Sequence, residues 1–248
     1  MVRYDFNAQR LYVDSDLSGG AQIVCDADQA NYIRNVLRLK AGDAIIVFNG
    51  CDGEWRSEIG EAGKRGVTLR VGEQVRPQED GPDIDYLFAP LKRARLDYMV
   101  QKATEMGVAR LRPVLTHRTV AERVNVERMR ANAIEAAEQC GILSLPAITP
   151  PIELGRLLAE RDAARWLVFC DEDAEVANPV AALSAVPPSP LAVLIGPEGG
   201  FAQDERAALL KQPNVVRLSL GPRILRADTA AVAALALVQA VIGDWRGV

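Results

Sequence analysis

Leu194-Ile195-Gly196-Pro197-Glu198-Gly199-Gly200-Phe201 and, shortly after it, Leu218-Ser219-Leu220-Gly221-Pro222-Arg223-Ile224-Leu225-Arg226 decide the reading of this chain. Each loop follows a short apolar run that reads as a buried strand. Each precedes a helical pattern, Asp204–Lys211 and Asp228–Ile242. Two strand–loop–helix units this close together predict one ligand site at the C-terminal ends of a parallel sheet, where open α/β folds bind.

Upstream, the same alternation continues. Ile84–Leu91, Val108–Leu115, Trp166–Cys170, Leu191–Ile195 and Val215–Leu220 read as strands, with helices at Arg95–Met106 and Val126–Cys140 among those between them. Strands alternating with helices imply a parallel sheet and an α/β fold over residues 84–248. Residues 1–75 read differently. A helix near Asp28–Leu37 is followed by strands at Ala44–Phe48, Trp55–Ile59 and Val67–Val71, with turns at Asn49-Gly50, Asp52-Gly53, Gly60 and Gly63–Gly66. This predicts a small β-barrel-like domain. Residues 76–83, polar and carrying two prolines and a glycine, read as the linker.

The 248 residues leave room for two domains, and the net charge of -4 excludes a polyanion binder by bulk charge. The charge is uneven, however. From Lys92 to Arg130 ten basic residues stand against four acids. That excess would suit phosphates, or equally a set of solvated helix faces. Cys25, Cys51, Cys140 and Cys170 are far apart and read as reduced thiols of a cytosolic protein. With one histidine, His117, and no CxxC pair, no metal site is expected. The longest apolar stretch, Ala230–Ile242, is too short to span a bilayer, so no membrane association is expected.

The first loop lacks the GK[ST] ending of a phosphate cradle, and Glu198 in its middle would repel phosphate. It suits a ligand read by backbone amides and carbonyls, or it is a plain tight turn. In the second loop the apolar pair Ile224-Leu225 beside Gly221-Pro222 would hold an adenine ring. Arg226 at its mouth would hold an anionic group of the substrate. A cation at a helix N-terminus faces the positive end of the helix dipole, so this placement runs against preference.

Taken together, LIGPEGGF followed by LGPRILRADTA resembles the C-terminal signature of the SPOUT methyltransferases, and specifically the ribosomal RNA small-subunit methyltransferase E family. Val100–Val108, Glu135–Gly141, Asn35–Asp43, Phe48-Asn49-Gly50 and Arg10 are similar to further segments of that family. Four places depart from its pattern: Tyr32, His117, Ala202, and Ile142-Leu143-Ser144, the last in place of an arginine-containing segment.

The resemblance implies an α/β SPOUT domain with a parallel sheet and a deep trefoil knot, preceded by a PUA-like β-barrel that grips RNA. It implies a homodimer that methylates N3 of one uridine in 16S ribosomal RNA, free or in the small ribosomal subunit, with S-adenosylmethionine as cofactor. The donor site would use Phe169, Cys170 and Asp171, then Leu194, Gly196, Pro197, Gly199 and Gly200, then Leu220, Gly221, Ile224 and Leu225. Arg226 and Glu198 would be the catalytic groups. Arg10, Arg38, Lys92, Lys102 and Arg118 would form one RNA-binding surface. Two other readings stay open: a SPOUT enzyme acting on a ribose 2′-oxygen, and a non-enzymatic RNA-binding protein.

Overall fold

The structure is a computed structural model that describes residues 8–60, 66–120, 123–175, 178–188 and 190–247. Most of the expected Gly63–Gly66 turn lies outside these residues. The chain divides into two compact units, 1–80 with 137–145, and 81–136 with 146–248.

The first unit holds β1 (Arg10–Tyr12), β2 (Gln22–Val24), α1 (Ala27–Asn31), β3 (Ala44–Phe48), β4 (Glu54–Ile59) and β5 (Thr68–Arg76). The strands pair in the order β1-β3-β4-β5-β2, with β1 parallel to β3 and the rest antiparallel. The pairing order is open among the described residues: it does not join β1 to β2. Asp26 caps α1 reciprocally with Gln29, and the helix continues as a π-turn over Tyr32–Val36. Leu11, Val13, Ile23, Ile33, Val47, Ile59, Leu69 and Val71 form the core.

The sequence places residues 137–145 in the second domain, but in the structure they belong to the first unit. Burial explains the difference. Phe48, Ala137 and Leu143 make a small second core, flanked by Tyr12, Ile142 and Leu145. Glu138 accepts the Tyr12 N–H at 2.8 Å, and Arg76 donates to the Gly141 carbonyl at 3.1 Å. The Ile142-Leu143-Ser144 departure thus contributes buried apolar area.

The second unit carries β6 (Ile84–Phe88), α2 (Arg93–Glu105), β7 (Arg110–Leu115), α3 (Val126–Cys140, of which 137–140 belong to the first unit), β8 (Ala147–Ile148) and β9 (Ile152–Glu153). It continues with α4 (Leu154–Glu160), β10 (Trp166–Cys170), α5 (Pro179–Ser184), β11 (Leu191–Ile195), α6 (Gln203–Leu210), β12 (Val215–Leu218) and α7 (Ala227–Ile242). Every pairing is parallel, in the order β12-β10-β11-β6-β7-β8, with β9 also on β7.

β6 and β11 are buried along their whole length, as strands covered on both faces must be. Side chains alternate between the faces. Tyr86, Phe88, Val168, Cys170, Val193 and Ile195 pack with α2, α5 and α7. Leu87, Leu167, Phe169, Ala192 and Leu194 pack with α4 and α6. The strand expected to reach Leu91 stops at Phe88, just before Ala89-Pro90, and β12 stops at Leu218 rather than Leu220. Among the described residues no helix is long and apolar enough to cross a membrane.

Candidate active site

Because β12, β10 and β11 are neighbours, the loops that follow them meet at one edge of the sheet. They enclose a cavity of about 420 Å³, within the usual size of a small-molecule site. Cys170, Asp171, Glu172 and Ala174 line it after β10. Ile195 to Gly200 line it after β11, and Leu218 to Leu225 after β12. Ala227 and Ala230 of α7 complete the wall.

Of the expected donor-site residues, the structure brings Cys170, Asp171, Gly196, Pro197, Gly199, Gly200, Leu220, Gly221, Ile224 and Leu225 to this cavity. Phe169 and Leu194 do not line it. Strand alternation turns both side chains to the opposite face, where they sit fully buried against α4 and α6.

Two glycines of these loops take the left-handed backbone conformation that favours glycine. At Gly200, φ is +70°, and a Cβ there would stand 2.0 Å from the Glu172 Oε1. At Gly221, φ is +99°, but the space around it is open, so only the backbone conformation demands glycine.

The wall is mainly apolar: Ile195, Leu218, Leu220, Leu225 and the two alanines. Burial, reinforced by the Asp171 charge, pushes the Cys170 thiol up to about 12, so it adds a neutral group to this wall. Asp171 is buried and already satisfied, at 2.9 Å from the Arg217 Nε and 3.0 Å from the Arg206 Nη2. Its charge is internal to the wall and not presented to a ligand.

Glu198 lines the cavity, and its carboxylate is bonded to Arg95. Arg226 does not line it. It occupies the N-cap position of α7 with its side chain exposed and unbonded to the helix, between two lining residues, Leu225 and Ala227.

The expected RNA contacts fare unevenly. Arg38 is exposed in the first unit, with φ +57°. Arg10 is buried there, its side chain 3 % exposed and bonded to Glu54 at 2.7 Å, so it does not face a phosphate. In the second unit, Lys92 and Arg118 follow β6 and β7 and are exposed on the same sheet edge as the cavity. Lys102 is on α2, about 14 Å further along that helix by its rise per residue, and bonds to Glu105 at 2.7 Å. Lys102 is thus separated from Lys92. Arg118 is already donating to the Gly199 carbonyl at 2.6 Å.

Several site residues escaped the sequence reading. Glu172 and Ala174 line the cavity but belong to no motif. Ala202 leaves α6 without its side-chain cap, yet the Glu205 carboxylate takes the Ala202 N–H at 2.9 Å. The glutamate three residues into the helix was the available signal for this half of a capping box.

The chain is also similar to known proteins. Residues 78–239 match the RNA methyltransferase domain family, and residues 25–72 match the RNA methyltransferase PUA domain family. The chain is 32 % identical to the ribosomal RNA small subunit methyltransferase E of Rickettsia conorii, over 93 % of this chain and 94 % of that protein. The protein of the same name from Synechocystis is 28 % identical, over 95 % of this chain and 78 % of that one. A Legionella pneumophila methyltransferase solved with the cofactor S-adenosylmethionine bound has a TM-score of 0.84 and 27 % identity, covering 96 % of this chain and 99 % of its own.

Proposed function

This chain belongs to the ribosomal RNA small subunit methyltransferase E family, and on that premise we propose that it methylates N3 of one uridine in 16S ribosomal RNA with S-adenosylmethionine as the donor. The observation that carries the reading is the three-loop cavity. Its apolar wall suits a flat ring, and its glycines allow close backbone approach. The Glu172 carboxylate on its lining would complement a cationic ligand.

When bound, S-adenosylmethionine supplies an electrophilic methyl group on its sulfonium sulfur. The chain must do the rest. The uridine has to leave its base pair, typically at a cost of a few kcal/mol. Its N3 proton must be lost, which spreads negative charge over N3 and the two carbonyl oxygens. Arg226, exposed between the lining residues Leu225 and Ala227, would donate to one of those oxygens as the charge develops. Leu220, Leu225, Ala227 and Ala230 would exclude water around the transferring group.

The proposal extends to the partners. The protein would act in the cytoplasm as a homodimer built on the outer strip of α7, and its second domain would carry the trefoil knot implied by the resemblance. Val232, Ala233, Ala236, Leu237, Ala240 and Val241 are only partly covered within one chain, and they continue from the cavity-lining Ala227 and Ala230.

The test is mass spectrometry of 16S ribosomal RNA from cells with and without the gene. Purified protein with labelled donor and either free RNA or small subunits would then identify the substrate form. A methyl group found on a ribose 2′-oxygen, or no change in the RNA, would overturn the proposal.

A further inference from the structure

One wall of the cavity, the loop from Gly196 to Ala202, is gripped from outside by the turn that follows β7. Three contacts make the grip. Glu205, at the third position of α6 and buried, accepts the His117 N–H at 2.8 Å through one carboxylate oxygen. Through the other it accepts the Ala202 N–H at 2.9 Å. At the next residue, the Arg118 guanidinium donates to the Gly199 carbonyl at 2.6 Å.

The turn that makes these contacts is itself braced. Thr119 Oγ1 accepts the Thr116 N–H at 2.8 Å and lies 3.0 Å from Thr116 Oγ1, while the Thr119 N–H donates to the Thr116 carbonyl at 3.1 Å. Arg95 from α2 adds a bond to Glu198.

A glycine-rich loop has many conformations to lose on ordering, so bonds that preselect one conformation raise the affinity of whatever the loop binds. Both Glu205 bonds are charge-assisted and partly buried, which makes them stronger than neutral ones.

We propose that the Thr116–Thr119 turn is a brace for the donor-binding loop, with Glu205 as its joint. Arg118 then acts on donor binding through Gly199 and is a positioning residue, not a phosphate contact. The proposal rests on the cavity being the S-adenosylmethionine site.

The two roles for Arg118 separate cleanly by experiment. Calorimetry with S-adenosylmethionine on the intact protein should show Arg118→Ala and Glu205→Gln weakening donor binding, Glu205→Gln by about tenfold. In turnover assays the KM for the donor should rise while kcat at saturating donor stays near wild type. The salt dependence of RNA binding should be unchanged in Arg118→Ala.

A phosphate contact gives the opposite pattern: unchanged donor affinity and a salt slope lower by about one unit. That result overturns the proposal. Should Glu205→Gln fail to fold, the exposed Arg118 side chain still carries the test. If the wild-type protein binds no S-adenosylmethionine, the reading of the cavity fails and the brace with it. If wild type binds and both variants bind equally well, only the brace fails.

Discussion

The side-chain amide of Gln239, fully buried in α7, donates to the main-chain carbonyl of Met106 at the end of α2. Its oxygen accepts the Asp244 N–H at 3.2 Å. The one strongly polar residue in the apolar run of α7 is therefore turned inward and occupied. This fixes the helix's rotation, and with it the identity of the outer strip.

The rotation changes which substitution tests the homodimer. Ala234, in the middle of the apolar run, is 0 % exposed and faces inward. Ala234→Glu should therefore prevent folding by burying an unpaired carboxylate. Ala236, part of the half-exposed strip, is the proper probe. Ala236→Glu should yield folded monomers in sedimentation at micromolar concentration. A wild-type protein that is itself monomeric there would rule the dimer out.

Gly221→Val should weaken donor binding by about five- to 150-fold with little change in Tm. No atom stands in the way of its side chain, so the cost is the backbone conformation, about 1–3 kcal/mol, and it falls on the loop. Calorimetric titration with S-adenosylmethionine measures it, and an unchanged affinity would remove Gly221 from the site.

Glu54→Ala should destabilise the protein by about 3–5 kcal/mol, since it removes the buried carboxylate that pairs with the Arg10 charge. Urea denaturation gives the value. Arg10→Met keeps volume without leaving a charge and should cost less. Neither should alter the salt slope of RNA binding.

The thiols give a pH prediction. Burial, with some help from Asp26, pushes Cys25 up to about 11, and Cys170 is higher still. Both should resist alkylation at pH 8 while the exposed Cys51 and Cys140 react, which peptide mass spectrometry would show. In the unfolded chain these thiols ionise near their ordinary value of 9.0, below their folded values. The native state therefore holds more protons between the two, and stability should fall as pH rises above 9.

Continuous apolar runs made much of the fold legible. β3, β10, β11 and α3 begin and end where the sequence predicts. The three-residue strands β1 and β2 are too short to show a period. Register was the other gap: knowing that Phe169 and Leu194 lie next to the ends of their strands does not say which face each takes, and half of any such run points away from the site. Pairing across long separations was invisible as well. Arg10 read as a surface cation because its partner Glu54 is 44 positions away. The Arg118 bond to Gly199, 81 positions later, likewise joins residues adjacent only in space.

The return of residues 137–145 to the first unit bears on how the protein is made. During synthesis the strands of that unit are complete once β5 has emerged, but the apolar face around Phe48 has nothing to cover it. Ala137 and Leu143, the Glu138 carboxylate for Tyr12 and the Gly141 carbonyl for Arg76 arrive only after β6, α2, β7 and most of α3 have been translated. At about 5–20 residues per second that interval lasts several seconds. For that time the nascent first unit exposes a sticky surface, and its final closure waits on the growth of the second.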